Sequence, residues 1–146
     1  MIVVGEEYQT TAMETATKAK QIQITMIVIK RRYSIIEKQI IIGDTVLEFE
    51  YPIDDYFLEI CGILVISLEV PDGVIFTQNV FGISLLESKI KWQIKKRIIP
   101  FSEGQNCPCM SIFLDENRQL RADYWCNTYF ILDPFTGEIL QEGLIR

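Results

Sequence analysis

With 146 residues, 49% of them hydrophobic and 23% charged, the chain has the composition of one folded domain with a sizeable core and not that of a disordered polypeptide. A formal net charge of −6 disfavours general nucleic-acid binding, which relies on basic groups to neutralise phosphates. The lack of any histidine removes Ser-His-Asp and Cys-His nucleophile arrangements and the commonest transition-metal ligand.

Residues 1–30 read as an N-terminal extension. Met1-Ile2-Val3-Val4 is too short for the apolar region of a signal peptide, and Glu6-Glu7 follow directly. Between Glu6 and Gln21, the residues Ala12, Met13, Ala16 and Ala19 keep helical spacing but are mostly small, so a short helix or a loose extension is expected. Ile24 to Ile29 is the next apolar run, far short of the ~20 residues that span a bilayer. No membrane association is expected. The expected location is cytoplasmic, with all four cysteines reduced.

From residue 31 to 146 the pattern predicts a single all-β domain, an antiparallel meander of about ten strands arranged as two blade-like sheets or a sandwich. Two β-rich runs, Ile35 to Ile42 and Thr45 to Tyr51, flank Gly43-Asp44 and form a hairpin signal. In the second run Leu47, Phe49 and Tyr51 share one face, Val46 and Glu48 the other. Further strands are predicted over Tyr56 to Ile60, Ile63 to Val70, Gln78 to Leu85, Lys89 to Ile94, Met110 to Leu114, Leu120 to Trp125, Tyr129 to Leu132 and Glu138 to Leu144. Ile63-Leu64-Val65-Ile66 is apolar on both faces and predicts a doubly covered strand. Ile90, Trp92 and Ile94 are expected inward, with Lys89, Lys91 and Gln93 toward water.

The most patterned stretch is Asp133-Pro134-Phe135-Thr136-Gly137. Asp133 suits the capping position of a turn, Pro134 presets φ for the next, and Gly137 supplies a positive φ. A Ca²⁺ loop would need several carboxylates at that place; the turn reading is the stronger one. Phe81 to Ile90 aligns without gaps on Phe130 to Ile139, with Ser84 and Asp133, and also Ser88 and Gly137, separated by the same 49 residues. A period of that length suits β-propeller blades. The string Tyr129 to Leu140 resembles the blade-closing hairpin of quinoprotein-like propeller repeats, with Trp92 at their strand-end tryptophan in the earlier copy. More broadly, Tyr51-Pro52-Ile53, Leu58-Glu59-Ile60, Asn79 to Ile83, Lys91-Trp92-Gln93-Ile94, Tyr124-Trp125 and the Asp133 turn resemble a family of small uncharacterised bacterial proteins from Ile27 onward. That resemblance implies a compact β domain without established enzymatic activity. The Cys107-Pro108-Cys109 segment and the long N-terminus depart from its pattern.

Chemistry-bearing groups are sparse. Asp54-Asp55 and Asp115-Glu116 are adjacent carboxylates, but neighbours in extended chain point oppositely and both pairs flank turns. Cys107, Cys109, Cys126 and Cys61 could supply thiolates for Zn²⁺, yet the spacing is not that of common zinc modules, and cysteine often packs as a small hydrophobe. No Gly-rich phosphate loop is present, and no cofactor is implied. The basic runs Lys30-Arg31-Arg32 and Lys95-Lys96-Arg97 read as solvated strand ends.

The loop from Ile98 to Pro108 is the longest break in the β region, and long loops on rigid scaffolds often carry binding. Phe101, Asn106, Tyr124 and Trp125 are therefore the candidate interaction surface; alternation turns one of the two neighbouring aromatics outward unless both fill the core or its rim. The leading expectation is a non-enzymatic interaction protein, in one version an immunity-type inhibitor whose acidic charge steers it to a basic partner. The alternatives are a small-molecule-binding or carboxylate-based hydrolytic domain, and a homo-oligomer formed through edge strands.

Overall fold

The computed structural model describes residues 2–17, 21–97 and 107–145, with side chains from Tyr33 onward. The domain is all-β: among the described residues twelve strands lie in three antiparallel sheets of four, each following chain order. The first sheet holds β1 (Ile2–Thr17), β2 (Gln21–Ile36), β3 (Gln39–Ile42) and β4 (Thr45–Glu48). The second holds β5 (Leu58–Ile60), β6 (Ile63–Ser67), β7 (Val80–Ser84) and β8 (Lys89–Gln93). The third holds β9 (Cys109–Leu114), β10 (Leu120–Tyr124), β11 (Thr128–Leu132) and β12 (Ile139–Leu144). Short connections make every neighbouring pair antiparallel, because parallel pairing would need long crossovers.

Of the two N-terminal alternatives, short helix or extension, residues 2–17 take the extended one. Residues 2–17 are extended and pair with β2 along their whole length, Ile2 opposite Ile36 and Thr17 opposite Gln21. Weak helical periodicity with small apolar groups stabilises a helix poorly, whereas strand pairing satisfies the same backbone groups whatever the side chains.

The second sheet lies in the middle. β6 is buried along its whole length because its two faces serve two cores. Leu64 and Ile66, with Leu68, Phe81, Ile83 and Leu85, pack against Tyr33, Ile35, Ile40, Ile42 and Phe49 of the first sheet and its exit. Ile63 and Val65, with Val80, Trp92 and Ile94, pack against Ile112, Leu120, Ala122, Tyr124, Phe130 and Leu132 of the third. In β4, Leu47 turns toward the first core and Val46 away from it, as alternation predicts.

One inward assignment differs. Trp92 and Ile94 are buried, but Ile90 is 40% exposed. A β-bulge shifts the register between Gly82 and Ile83, so that Gly82 faces Trp92 while Ile83 faces Ile90. An extra residue reverses the alternation of everything before it.

The Asp133 loop is a turn, and also a seat. Asp133 Oδ1 accepts the Phe135 N–H at 2.8 Å, the Asp133 carbonyl accepts the Gly137 N–H at 2.8 Å, and Gly137 has φ +73°. Trp92 donates its indole N–H to the Pro134 carbonyl at 2.8 Å and lies against both Gly82 and Gly137. A Cβ at either glycine would fall 2.1 Å and 2.5 Å, respectively, from indole atoms. The loop that closes β11 on β12 therefore also receives the tryptophan of β8.

Candidate functional site

The largest exposed aromatic beside a cleft is Trp125, at the tip of the β10–β11 hairpin. Cys126 and Asn127 both have positive φ, 74° and 58°, which turns the chain in three residues between the paired Tyr124 and Thr128. A second bulge between Asp123 and Tyr124 leaves Met110 as the extra residue on β9. Bulge and turn together push side chains out of the sheet's alternation. Trp125 is 57% exposed and Met110 52%.

This tip is held firmly. Trp125 N–H donates to the Pro108 carbonyl at 3.0 Å, and Ile145 N–H to the Asn127 carbonyl at 2.7 Å. Tyr124 is buried and donates its hydroxyl to the Thr77 carbonyl at 2.8 Å, and burial pushes its pKa well above the usual phenol range. Asn79, also buried, uses its whole amide: Nδ2 donates to the Leu68 and Cys109 carbonyls at 2.9 and 3.0 Å, and Oδ1 accepts the Cys109 N–H at 2.9 Å. It ties the start of β9 to the middle sheet, and nothing in the local sequence marks it for that role.

Cys107 and Cys126 form a disulfide, with Cα atoms 5.8 Å apart, inside the usual range for such bridges. This corrects the expectation of four reduced cysteines. The hairpin pairing carries Cys126 to the entrance of β9, a proximity invisible along the chain. Cys109 is a free thiol buried in the core, and burial pushes its pKa far above the ordinary 9.0, so it stays protonated and unreactive. Cys61 is free and exposed.

Of the four candidate surface residues, Trp125 faces outward and Tyr124 inward; Phe101 and Asn106 lie outside the described residues. Two clefts flank Trp125 and Met110. One, about 580 Å³, is lined also by Asp123, Tyr124, Cys126, Asn127 and Ile145. The other, about 260 Å³, is lined also by Val70, Asp72, Gly73 and Pro108. The carboxylate in the larger cleft, Asp123, accepts the Arg121 Nε–H at 2.6 Å, and that guanidinium stacks 4.3 Å from the Tyr129 ring centroid.

The other acidic pairs serve turns. Asp54 Oδ1 accepts the Tyr56 N–H at 2.9 Å, and Asp115 Oδ1 accepts those of Asn117 and Gln119 at 2.9 and 2.8 Å. Among the described residues no group of three or more His, Cys, Asp or Glu side chains could hold a metal ion.

These elements define an all-β antiparallel domain of three stacked sheets that displays an aromatic group on a cross-linked hairpin tip. By family, the chain belongs to DUF7957, a domain of unknown function whose model matches residues 30–144. No curated protein and no solved structure matches it.

Proposed function

We propose that this protein is a non-enzymatic interaction protein that docks a partner protein on the face carrying Trp125 and Met110. The observation that carries the reading is a large aromatic, 57% exposed, on a tip fixed by a disulfide and by the Pro108 hydrogen bond. Trp and Met are enriched where proteins meet, and a pre-ordered anchor loses little entropy on binding. The net charge of −6 favours a basic partner through steered encounter, and an immunity-type inhibitor of a basic enzyme is the specific version we put forward.

The test is affinity capture of the tagged chain from its native lysate, with the Trp125→Ala variant in parallel. One stoichiometric partner that is lost with Trp125→Ala is expected. Capture undiminished by that change would overturn the docking face.

A second reading, small-molecule binding, is favoured by the cleft of about 580 Å³, a volume within the common ligand range. A metabolite that raises the melting temperature of the wild type and not of Trp125→Ala would select it. A hydrolytic role finds less support, because Asp123 is paired with Arg121 and Asp54 and Asp115 cap turns.

A further inference from the structure

At the end of the third sheet opposite the Trp125 hairpin, pairing sets three leucines in one cross-strand row, Leu114 beside Leu120 and Leu120 beside Leu132. Directly opposed residues share a sheet face, so a full cover would bury all three alike. Leu120 and Leu132 are buried, but Leu114 is 47% exposed. The cover is the middle sheet, whose edge strand β5 is three residues long and ends at Ile60, packed against the same core. Between Ile60 and the leucine row opens a cleft of about 250 Å³. Leu140 lines it as well; the β11–β12 bulge leaves that residue without a partner, and it is exposed.

Two polar side chains line this aliphatic cleft, Arg118 and Gln119, both from the β9–β10 turn. Asp115 fixes that turn by accepting the Asn117 and Gln119 backbone N–H groups, and Arg118 sits in it at φ 59°. Arg97 is paired with Glu142 and Arg121 with Asp123. The Arg118 guanidinium, by contrast, has no hydrogen bond, ion pair or ring contact among the described residues. A free guanidinium on the lining of an apolar cleft suits one negative charge carried on an apolar body, and its planar fork matches a carboxylate.

We propose that this cleft binds a free aliphatic carboxylic acid of medium chain length. The carboxylate lies on Arg118 and Gln119, and the tail runs along Leu114, Leu140 and Ile60. Size and polarity select this class. The volume falls below the about 300–1,000 Å³ of sites for drug-sized ligands. A peptide would bring several amide groups against a lining with two polar side chains, and each amide without a partner costs desolvation. A hydrocarbon tail brings none.

Isothermal titration calorimetry of octanoate into the full-length chain at neutral pH tests this. One saturable site is expected, together with a melting temperature that rises with octanoate. 1-Octanol has the tail without the charge and acetate the charge without the tail, and each is expected to bind at least about tenfold more weakly. Arg118→Gln should weaken octanoate by roughly tenfold or more, and Arg118→Lys should keep most of the affinity. Leu140→Asp, which sets a like charge beside the ligand, should abolish binding. Both positions are exposed, so the ligand-free variants should melt like the wild type. Trp125→Ala leaves octanoate binding unchanged, because Trp125 lines the other two clefts. No binding at millimolar octanoate, 1-octanol equal to octanoate, binding undiminished in either Arg118→Gln or Leu140→Asp, or binding lost with Trp125→Ala would each overturn the proposal. A leucine-ended tripeptide acid that binds more tightly than octanoate would also overturn it and assign the cleft to a protein C-terminus.

Discussion

Trp92 shows how much one side chain can carry. Its indole spans Gly82 of its own sheet and Gly137 of the next, and its N–H satisfies the Pro134 carbonyl. Gly137→Ala adds a methyl where the ring already lies, at a φ that L-residues resist, so it is expected to cost about 3 kcal/mol. Trp92→Ala is expected to cost about 3–5 kcal/mol by cavity formation. Urea midpoints at constant m check both. Gly137 was legible as a turn residue, but its role as a seat depends on a contact between residues 92 and 137, which no local pattern displays. Asn79 is the same kind of case, since its partners at Leu68 and Cys109 are fixed only when two sheets meet.

Cys109 gives a pH dependence at this scale. Its folded pKa is raised from 9.0 by burial, so the thiol keeps its proton in the native state while the unfolded chain releases it. Stability is therefore full below pH 9.0 and falls above it, by up to about 1.4 kcal/mol per pH unit. Tyr124 adds a like loss above its ordinary 10.0. Cys109→Ala should remove the earlier decline and keep the later one, as read from thermal melts between neutral and alkaline pH.

Among elements, the β10–β11 hairpin is anchored by a bridge between residues 19 apart. A loop of that size is worth about 3 kcal/mol in the chain-entropy account. Reduction, or Cys107→Ser with Cys126→Ser, is expected to lower the melting temperature by on the order of 10 °C. The same treatment loosens the presentation of Trp125, so partner capture should weaken with it while β-sheet circular dichroism persists. Bulges were the hardest features to foresee. The shift at Gly82 and Ile83 exposes Ile90, and the one at Asp123 and Tyr124 frees Met110. Bulges are set by pairing geometry on the partner strand, and composition within one strand does not announce them.

In the whole molecule, the middle sheet belongs to both cores, so neither can melt alone. Leu64→Ala acts on the core shared with the first sheet, and its expected cost of about 2–5 kcal/mol should appear in full in a probe on the other side. Trp92 fluorescence, in a Trp125→Phe background, supplies that probe. A single transition shifted equally by fluorescence and circular dichroism is expected, and two separated transitions would contradict the shared-core account.

The class of fold, the doubly buried β6 and the turn at Asp133 are written in local pattern, whereas whether either aromatic of the Tyr124-Trp125 pair turns outward is not. Alternation, turn chemistry and β propensity act between near neighbours, so they are written locally. Only the tertiary structure decided that there are three sheets, that residues 2–17 join them as a strand, that Cys107 meets Cys126, and that Trp125 rather than Tyr124 reaches the surface. Each of those depends on which distant strands pair and in what register, and a one-residue bulge is enough to exchange the buried side chain for the exposed one.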